Sequence, residues 1–169
     1  MLKNELLSFL DKEREDIQRG DLLEFIAGKE IQFLDLRYPA MDGRLKTLRV
    51  PVTSLARAEE VLAEGERVDG SSLFGAIVDP FHSDLYVVPV YSTAFVDPFY
   101  PSTLDVCCRF MDYKGDLEPW TPQGVVEKAG RAFTEASGLE LRALTEVEFH
   151  LLMDEGEPRF PSRPQGGYH

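Results

Sequence analysis

The sequence is short of cysteine, of positive charge and of long apolar runs, and each shortage removes a class of protein. Its two cysteines, Cys107 and Cys108, are adjacent, which excludes a disulfide framework. No second Cys or His stands at zinc spacing from the pair, so a buried strand thiol is the expected role. No stretch approaches the roughly 18–20 apolar residues that cross a bilayer. The N-terminus turns acidic after ten residues and offers no signal-peptide cleavage site. Eighteen Lys+Arg face 30 Asp+Glu among 169 residues, a formal charge of −12. Nucleic acid and anionic membranes are bound through concentrated Lys and Arg, so neither is an expected partner, while the charge permits cation or metal binding. Also missing are a Gly-rich phosphate loop with a following Lys and a G-x-S-x-G elbow. A soluble, cytoplasmic protein is the expectation. Its 43% of hydrophobic residues suffice for a packed core, and its length suits one domain or one and a half.

Residues 2–27 carry helical patterning, with Leu2, Leu6, Phe9 and Leu10 and then Leu22, Leu23, Phe25 and Ile26, stopped at Gly28. Two alternating runs around Asp42-Gly43, the first holding Ile31, Phe33 and Leu36 and the second spanning Arg44 to Val50, predict a β-hairpin. Ser54 is a good N-cap for an amphipathic helix that Gly65 would end. Residues 67–81 read as a loop with apolar anchors. Strand patterns follow at 84–90 and 104–110, and Pro89, Pro98 and Pro101 mark them as edge strands or strands broken by bends. Residues 111–120 read as a linker. Thr121-Pro122 then opens a helix with the stripe Val125, Val126, Ala129, Ala132, Phe133 and Ala136, closed by Gly138. A strand is expected over LELRALTEVEFHLLMD, before a Pro- and Gly-rich tail. The order suggests an α+β domain over 1–110, a linker over 111–120 and a second, truncated unit over 121–169. One helix and one strand leave both apolar faces uncovered, so the second unit is expected to be loosely held or to pack against another copy.

Two places offer chemistry. In a strand, residues i and i+2 share a face, so Glu146 and Glu148 would project together, and His150 with them. Like charges on one face are unfavourable unless water, Lys/Arg or a cation compensates, and Mg²⁺ or Mn²⁺ takes such oxygen ligands. A solvated strand face is the plainer alternative, and a structural role is the default for the lone His. The second place is Asp69-Gly70-Ser71-Ser72, where a carboxylate and two hydroxyls at a tight turn suit a small cation such as ammonium. An ordinary Asx or Ser turn explains the same residues. Asp84 is a further, ambiguous carboxylate. Asp79-Pro80 and Asp97-Pro98 read as turn initiators.

Taken as an ordered set, FLDLRYPAMDGRLKTLRVP (33–51), VDGSSLFG (68–75), SDLYVVPVYSTAFVDPF (83–99), the Thr-Pro-headed helix at 121–138, EVEFHLL (146–152) and GGY (166–168) resemble the glutamine synthetase family. The resemblance implies a β-grasp N-terminal domain followed by the opening of an incomplete α/β catalytic domain. It implies ATP-dependent condensation of glutamate with ammonia through γ-glutamyl phosphate, with Mg²⁺ or Mn²⁺ neutralising the phosphates. Glu146 and Glu148 match the family's metal ligands. Asp69 matches the residue that binds ammonium and helps take its proton, so it is the catalytic candidate, and Ser72 and Asp84 match residues lining that pocket. Partners implied are glutamate, ammonium, ATP and further copies of the chain in a ring with shared sites.

The sequence departs from the family at Leu144-Thr145, where Gly-Pro is common, and at Pro89-Val90 and Pro122-Gln123. These suggest a divergent branch, in which ligation of glutamate to polyamines or other amines stays open, although Asp69 and Ser72 favour ammonia. The family's remaining metal ligands, ATP pocket and substrate arginines lie beyond residue 169. An inactive N-terminal fragment is therefore expected, with a free-standing interaction or regulatory module as the competing reading.

Overall fold

The computed structural model describes residues 4–149 apart from 76, 79, 80 and 82. His150, the G-G-Y stretch and the Asp79-Pro80 pair lie wholly or partly outside the described residues. Helix α1, Glu5–Leu10, starts at Asn4, whose side chain accepts from the Leu7 N–H. It stops where Asp11 turns left-handed, at φ 50°. After a single 3₁₀ turn at Arg14–Asp16, α2 spans Arg19–Gly28 under a capping box formed by Gln18 and Asp21. Helix α1 packs on α2, and both put side chains into the core.

Strands β1, Phe33–Pro39, and β2, Leu45–Pro51, pair antiparallel with Asp35 opposite Arg49, as the hairpin pattern predicts. Gly43, at φ 78°, supplies the turn between them. Helix α3, Leu55–Glu64, is capped by the Ser54 side chain, which accepts from the Arg57 N–H. Gly65 ends it at φ 75°, and a Cβ there would lie 2.3 Å from the Val87 carbonyl oxygen. The rest of the sheet is β3, Glu66–Asp69, β4, Asp84–Pro89, the short β5, Phe95–Val96, and β6, Thr103–Met111. A four-residue helix α4, Gly70–Leu73, follows β3 directly.

The strand order is β2-β1-β6-β4-β3, with β5 also on β6. Among the described residues only the β1–β6 pair is parallel, and the strand order sets β6 at the centre. Two expectations change here. The segment 67–81 contains β3 and α4 as well as loop, and β4 and β6 are interior strands. The prolines do not conflict with that position, because Pro89 ends β4 while Pro98 and Pro101 fall in the β5–β6 connection.

One sheet face and the helices form the core. Leu34, Leu36, Leu85, Val87, Leu104, Val106 and Phe110 meet Leu6, Leu22, Phe25, Ile26, Val61 and Leu62, all nearly or fully buried. Each such side chain contributes about 1.5–3 kcal/mol through burial. Phe74, just past α4, inserts edge-on against Phe110, and Trp120 stacks edge-on against Phe74, both at 5.0 Å between centroids. Cys108 is buried on β6, as expected of a strand thiol, and burial pushes its pKa up.

Helix α5, Pro122–Ser137, opens with Thr121 as N-cap and closes at Gly138, φ 71°, as its sequence predicts. It meets the sheet through Gln123 Nε2, which donates to the Cys108 carbonyl at 2.8 Å, and through the Arg109–Glu127 ion pair at 3.0 Å. The apolar stripe does not make that contact. Val125, Val126 and Phe133 are exposed, and Gly124 is the helix's buried residue. The strand expected after α5 is absent from its described part. Residues 139–149 form no regular structure and are exposed throughout, and among the described residues no strand pairs with them.

Candidate functional site

The Asp69 cluster sits where β3 passes into α4. Antiparallel pairing with β4 sets Asp69 directly opposite Asp84. Gly70 permits this junction, because a Cβ would come within 2.7–2.9 Å of the Leu85 side chain and the Ser83 carbonyl. The Gly70 N–H donates to that same carbonyl at 2.6 Å, which fastens the turn to β4.

Asp69 caps the turn that follows. One carboxylate oxygen accepts from the Ser71 N–H at 3.0 Å and the Ser71 hydroxyl at 2.6 Å, and the other accepts from the Ser72 hydroxyl at 2.5 Å. Those hydroxyl donors, Ser71 first and then Ser72, hold the carboxyl at a pKa of about 2. Asp69 is exposed and anionic at any physiological pH. Carboxylates facing each other across an antiparallel pair repel, and Arg67 offsets part of this by pairing with Asp84 at 3.1 Å. Asp69, Ser72 and Asp84 thus share one end of the β3–β4 pair, with acceptor oxygens open to solvent. Such a set can receive a small cation whose N–H groups need acceptors in several directions.

Glu146 and Glu148 stand elsewhere, on the irregular stretch after α5, where both are exposed. No hydrogen bond or ion pair links either to Asp69, Ser72 or Asp84 among the described residues. The shared strand face expected for them does not exist there. As hard oxygen donors they suit Mg²⁺ or Mn²⁺, and neither is committed to an ion pair among the described residues.

A second polar cluster escaped the sequence reading. Asp35 of β1, Asp105 of β6 and Asp97 just after β5 are all buried, with ligand oxygens within 4.8 Å of one another. Arg49 grips Asp35 with two bonds of 2.8 Å, and Arg37 bonds Asp105 and reaches Asp97 at 3.5 Å. Asp97 also caps the turn after it, accepting from the Phe99 and Tyr100 N–H groups at 2.8 and 3.2 Å, in line with its turn-initiator reading. The signal for burial was present in the register. Leu34 and Leu36 alternate with Asp35, and Leu104 and Val106 flank Asp105, so both aspartates occupy the second face of central strands.

A parallel β1–β6 pair at the centre of a mixed sheet, a leading hairpin and helices on one face define a β-grasp domain in an α+β chain. The family model described as the glutamine synthetase β-grasp domain matches residues 30–116. The chain belongs to the glutamine synthetase family. Among its relatives, the glutamine synthetase of Azorhizobium caulinodans is 32% identical over 123 residues, covering 70% of this chain and 25% of that protein. The glutamine synthetase of Methylococcus capsulatus is 32% identical over 145 residues, covering 79% of this chain and 29% of the relative. The chain therefore spans between a quarter and a third of the length of these relatives. The fold is shared with the glutamine synthetase of Plasmodium falciparum, at TM-score 0.59 and 18% identity over 74% of this chain and 24% of that one. It is shared too with GmaS in complex with ADP, at TM-score 0.60 and 16% identity over 68% and 26%.

Proposed function

We propose that this chain is the N-terminal part of a glutamine synthetase-like ligase, contributing the ammonium-binding side of an ATP-dependent site that joins glutamate to ammonia through γ-glutamyl phosphate. The observation that carries the reading is the Asp69 turn, an exposed carboxylate ordered by two serine hydroxyls and set in register opposite Asp84. In this reading Asp69 holds ammonium and takes a proton from it, and the ammonia attacks the carbonyl carbon of γ-glutamyl phosphate, forming the C–N bond and expelling inorganic phosphate. The low pKa of Asp69 favours holding the cation over keeping the proton, which then passes on to water. Ser72 fixes the carboxylate, and Asp84 adds a second negative charge to the pocket. Glu146 and Glu148 would hold Mg²⁺ or Mn²⁺, which supplies charge neutralisation for phosphoryl transfer when bound. We assign residues 1–110 to the β-grasp domain, 111–120 to a linker and 121–169 to the beginning of the catalytic domain. The parent is an oligomer with sites shared between neighbouring copies. The exposed stripe of α5 and the unpaired residues 139–149 support this assignment, since both need a covering surface.

The chain alone is expected to be inactive. A glutamine-formation assay on the 169-residue chain with ATP, glutamate, ammonium and Mg²⁺ or Mn²⁺ tests this, and metal-dependent product above background overturns it. In the longer reading frame, Asp69→Asn is expected to raise the ammonium KM and lower kcat, while an unchanged enzyme defeats the assignment of Asp69. Ligation of a polyamine in place of ammonia would move the parent to the alternative substrate class. One observation favours a second reading, a free-standing module without catalysis. Glu146 and Glu148 are exposed and apart from Asp69, and each Asp69 oxygen already accepts from Ser71 or Ser72 while staying open to solvent. Mn²⁺ binding to the chain that Glu148→Ala abolishes argues against the module.

A further inference from the structure

The Asp35, Asp97 and Asp105 cluster lies on the second face of the sheet and takes no part in the proposed ligase site. Its charges do not balance. Three carboxylates, 0–5% exposed, meet two guanidinium groups, Arg37 and Arg49. One negative charge is left over where burial makes an uncompensated charge costly. Its hydrogen bonds do not close either. The Asp105 Oδ2 atom is buried with no partner, and so is the hydroxyl of Thr103, a residue 1% exposed. Thr103 stands two residues before Asp105 on β6, so both side chains leave the same face of the strand. Its carbonyl accepts from the Asp97 N–H at 3.1 Å, which brings the third carboxylate's backbone to the same place.

We propose that this cluster binds one monovalent, sodium-sized cation through Asp105 Oδ2, with Asp35, Asp97 and the Thr103 hydroxyl completing an all-oxygen set. Charge selects the valence. A single positive charge neutralises the excess carboxylate, whereas a divalent ion would leave a buried surplus of opposite sign. The spacing agrees on size. Oxygens that all lie within 4.8 Å of one another can surround an ion with bonds of about 2.3–2.6 Å, the calcium-like range that sodium shares. A bound ion would tie β1, β6 and the segment after β5 together beside the Arg49–Asp35 pair, whose arginine also meets Tyr100. The guanidinium lies 5.5 Å from the Tyr100 ring centroid. Burial raises the Asp105 pKa, so a proton is the competitor for the same oxygen and the cation gains as pH rises.

The test is thermal unfolding of the 169-residue chain at pH 8 in sodium, potassium, choline, magnesium or calcium chloride at one ionic strength. At tenfold saturation the folding equilibrium shifts about elevenfold, a rise of roughly 3–6 °C in sodium over choline. Thr103→Val and Asp105→Asn are expected to remove that difference. Thr103→Val nearly preserves shape, so it serves even if Asp105→Asn folds poorly. Identical Tm values in sodium and choline overturn the proposal, as does a sodium effect that survives Thr103→Val. Stabilisation seen only with divalent ions overturns the charge argument. A cation-independent Asp105→Asn protein more stable than the parent would assign the site to a proton.

Discussion

Phe74 links the core to the Asp69 turn, and its truncation tests how far that turn depends on packing. The ring is 2% exposed and makes two edge-on contacts, with Phe110 at 84° and with Trp120 at 79° between planes. Replacing it with alanine leaves a cavity among side chains that cannot all collapse, and buried Phe→Ala changes cost about 3–5 kcal/mol. Of that, about 0.5–1.5 kcal/mol per pair comes from the aromatic geometry itself. A protein of this size loses roughly 2–4 °C per kcal/mol, so Tm is expected to fall by roughly 6–20 °C. Trp120 is the chain's one tryptophan, and it touches the deleted ring, so its fluorescence reports both the native environment and the urea transition. The native emission is expected to change along with the midpoint. The Ser71 and Ser72 amides are expected to exchange faster, because the Phe74 N–H closes the turn on the Gly70 carbonyl at 2.7 Å. Phe99→Ala is the control, since Phe99 is 84% exposed and is expected to change stability by less than about 0.5 kcal/mol. A Phe74→Ala loss below about 1 kcal/mol, or an unchanged Trp120 emission, would falsify the packing account.

The remaining expectations concern backbone, capping and charge. Gly65→Ala and Gly138→Ala both force a side chain into positive φ, but only at Gly65 would the new Cβ meet backbone, at 2.3 Å. Urea midpoints should show about 1 kcal/mol lost at Gly138 and clearly more at Gly65, and equal losses would contradict the clash. Thr121→Ala removes the side-chain acceptor for the Gly124 N–H and is expected to cost about 0.5–2 kcal/mol, read from the same melts. The Asp69 pKa is lowered from 3.8 to about 2, so its contribution to stability is complete above the unfolded value and disappears as pH falls through about 2. Stability profiles of the parent and Asp69→Asn should therefore converge at the acid end; profiles that stay parallel to pH 1.5 refute the depressed pKa.

How much of this was legible depended on whether a residue's partner was close in sequence. The β1–β2 hairpin, α3 and α5 were readable because Asp42-Gly43, Ser54 and Gly65, and Thr121-Pro122 and Gly138 are local punctuation with local causes. Strand β3 was not, because Glu66–Asp69 is four residues of mixed burial whose strand character comes from pairing with β4 fifteen residues on. The prolines misled for a related reason. Pro89, Pro98 and Pro101 read as marks of edge strands or of strands broken by bends, whereas the register sets them at a strand's end and in a connection, beside interior strands. After α5 the alternation around Glu146 read as a strand, yet alternation provides a face and not a partner. With no strand beside them, residues 139–149 remain exposed and irregular.

The two acidic clusters show where the same limit falls on function. Asp69 announced itself because its donors, Ser71 and Ser72, are its immediate neighbours, and the structure gives those hydrogen bonds. Asp35, Asp97 and Asp105 did not, because each is a lone aspartate in its own segment and they meet only when β1 and β6 pair in parallel with β5 alongside. Burial then separates the clusters chemically. At the exposed Asp69 turn, local donors and water satisfy the charge, so the anion is stable and ready for an exchangeable ligand. Around Asp105 burial shuts out bulk solvent, and two arginines leave a buried oxygen and one negative charge without a counterpart. A proton or a cation on Asp105 would relieve that cost, and the response of Thr103→Val to sodium separates the two because a protonated carboxyl gives no sodium response for the substitution to remove.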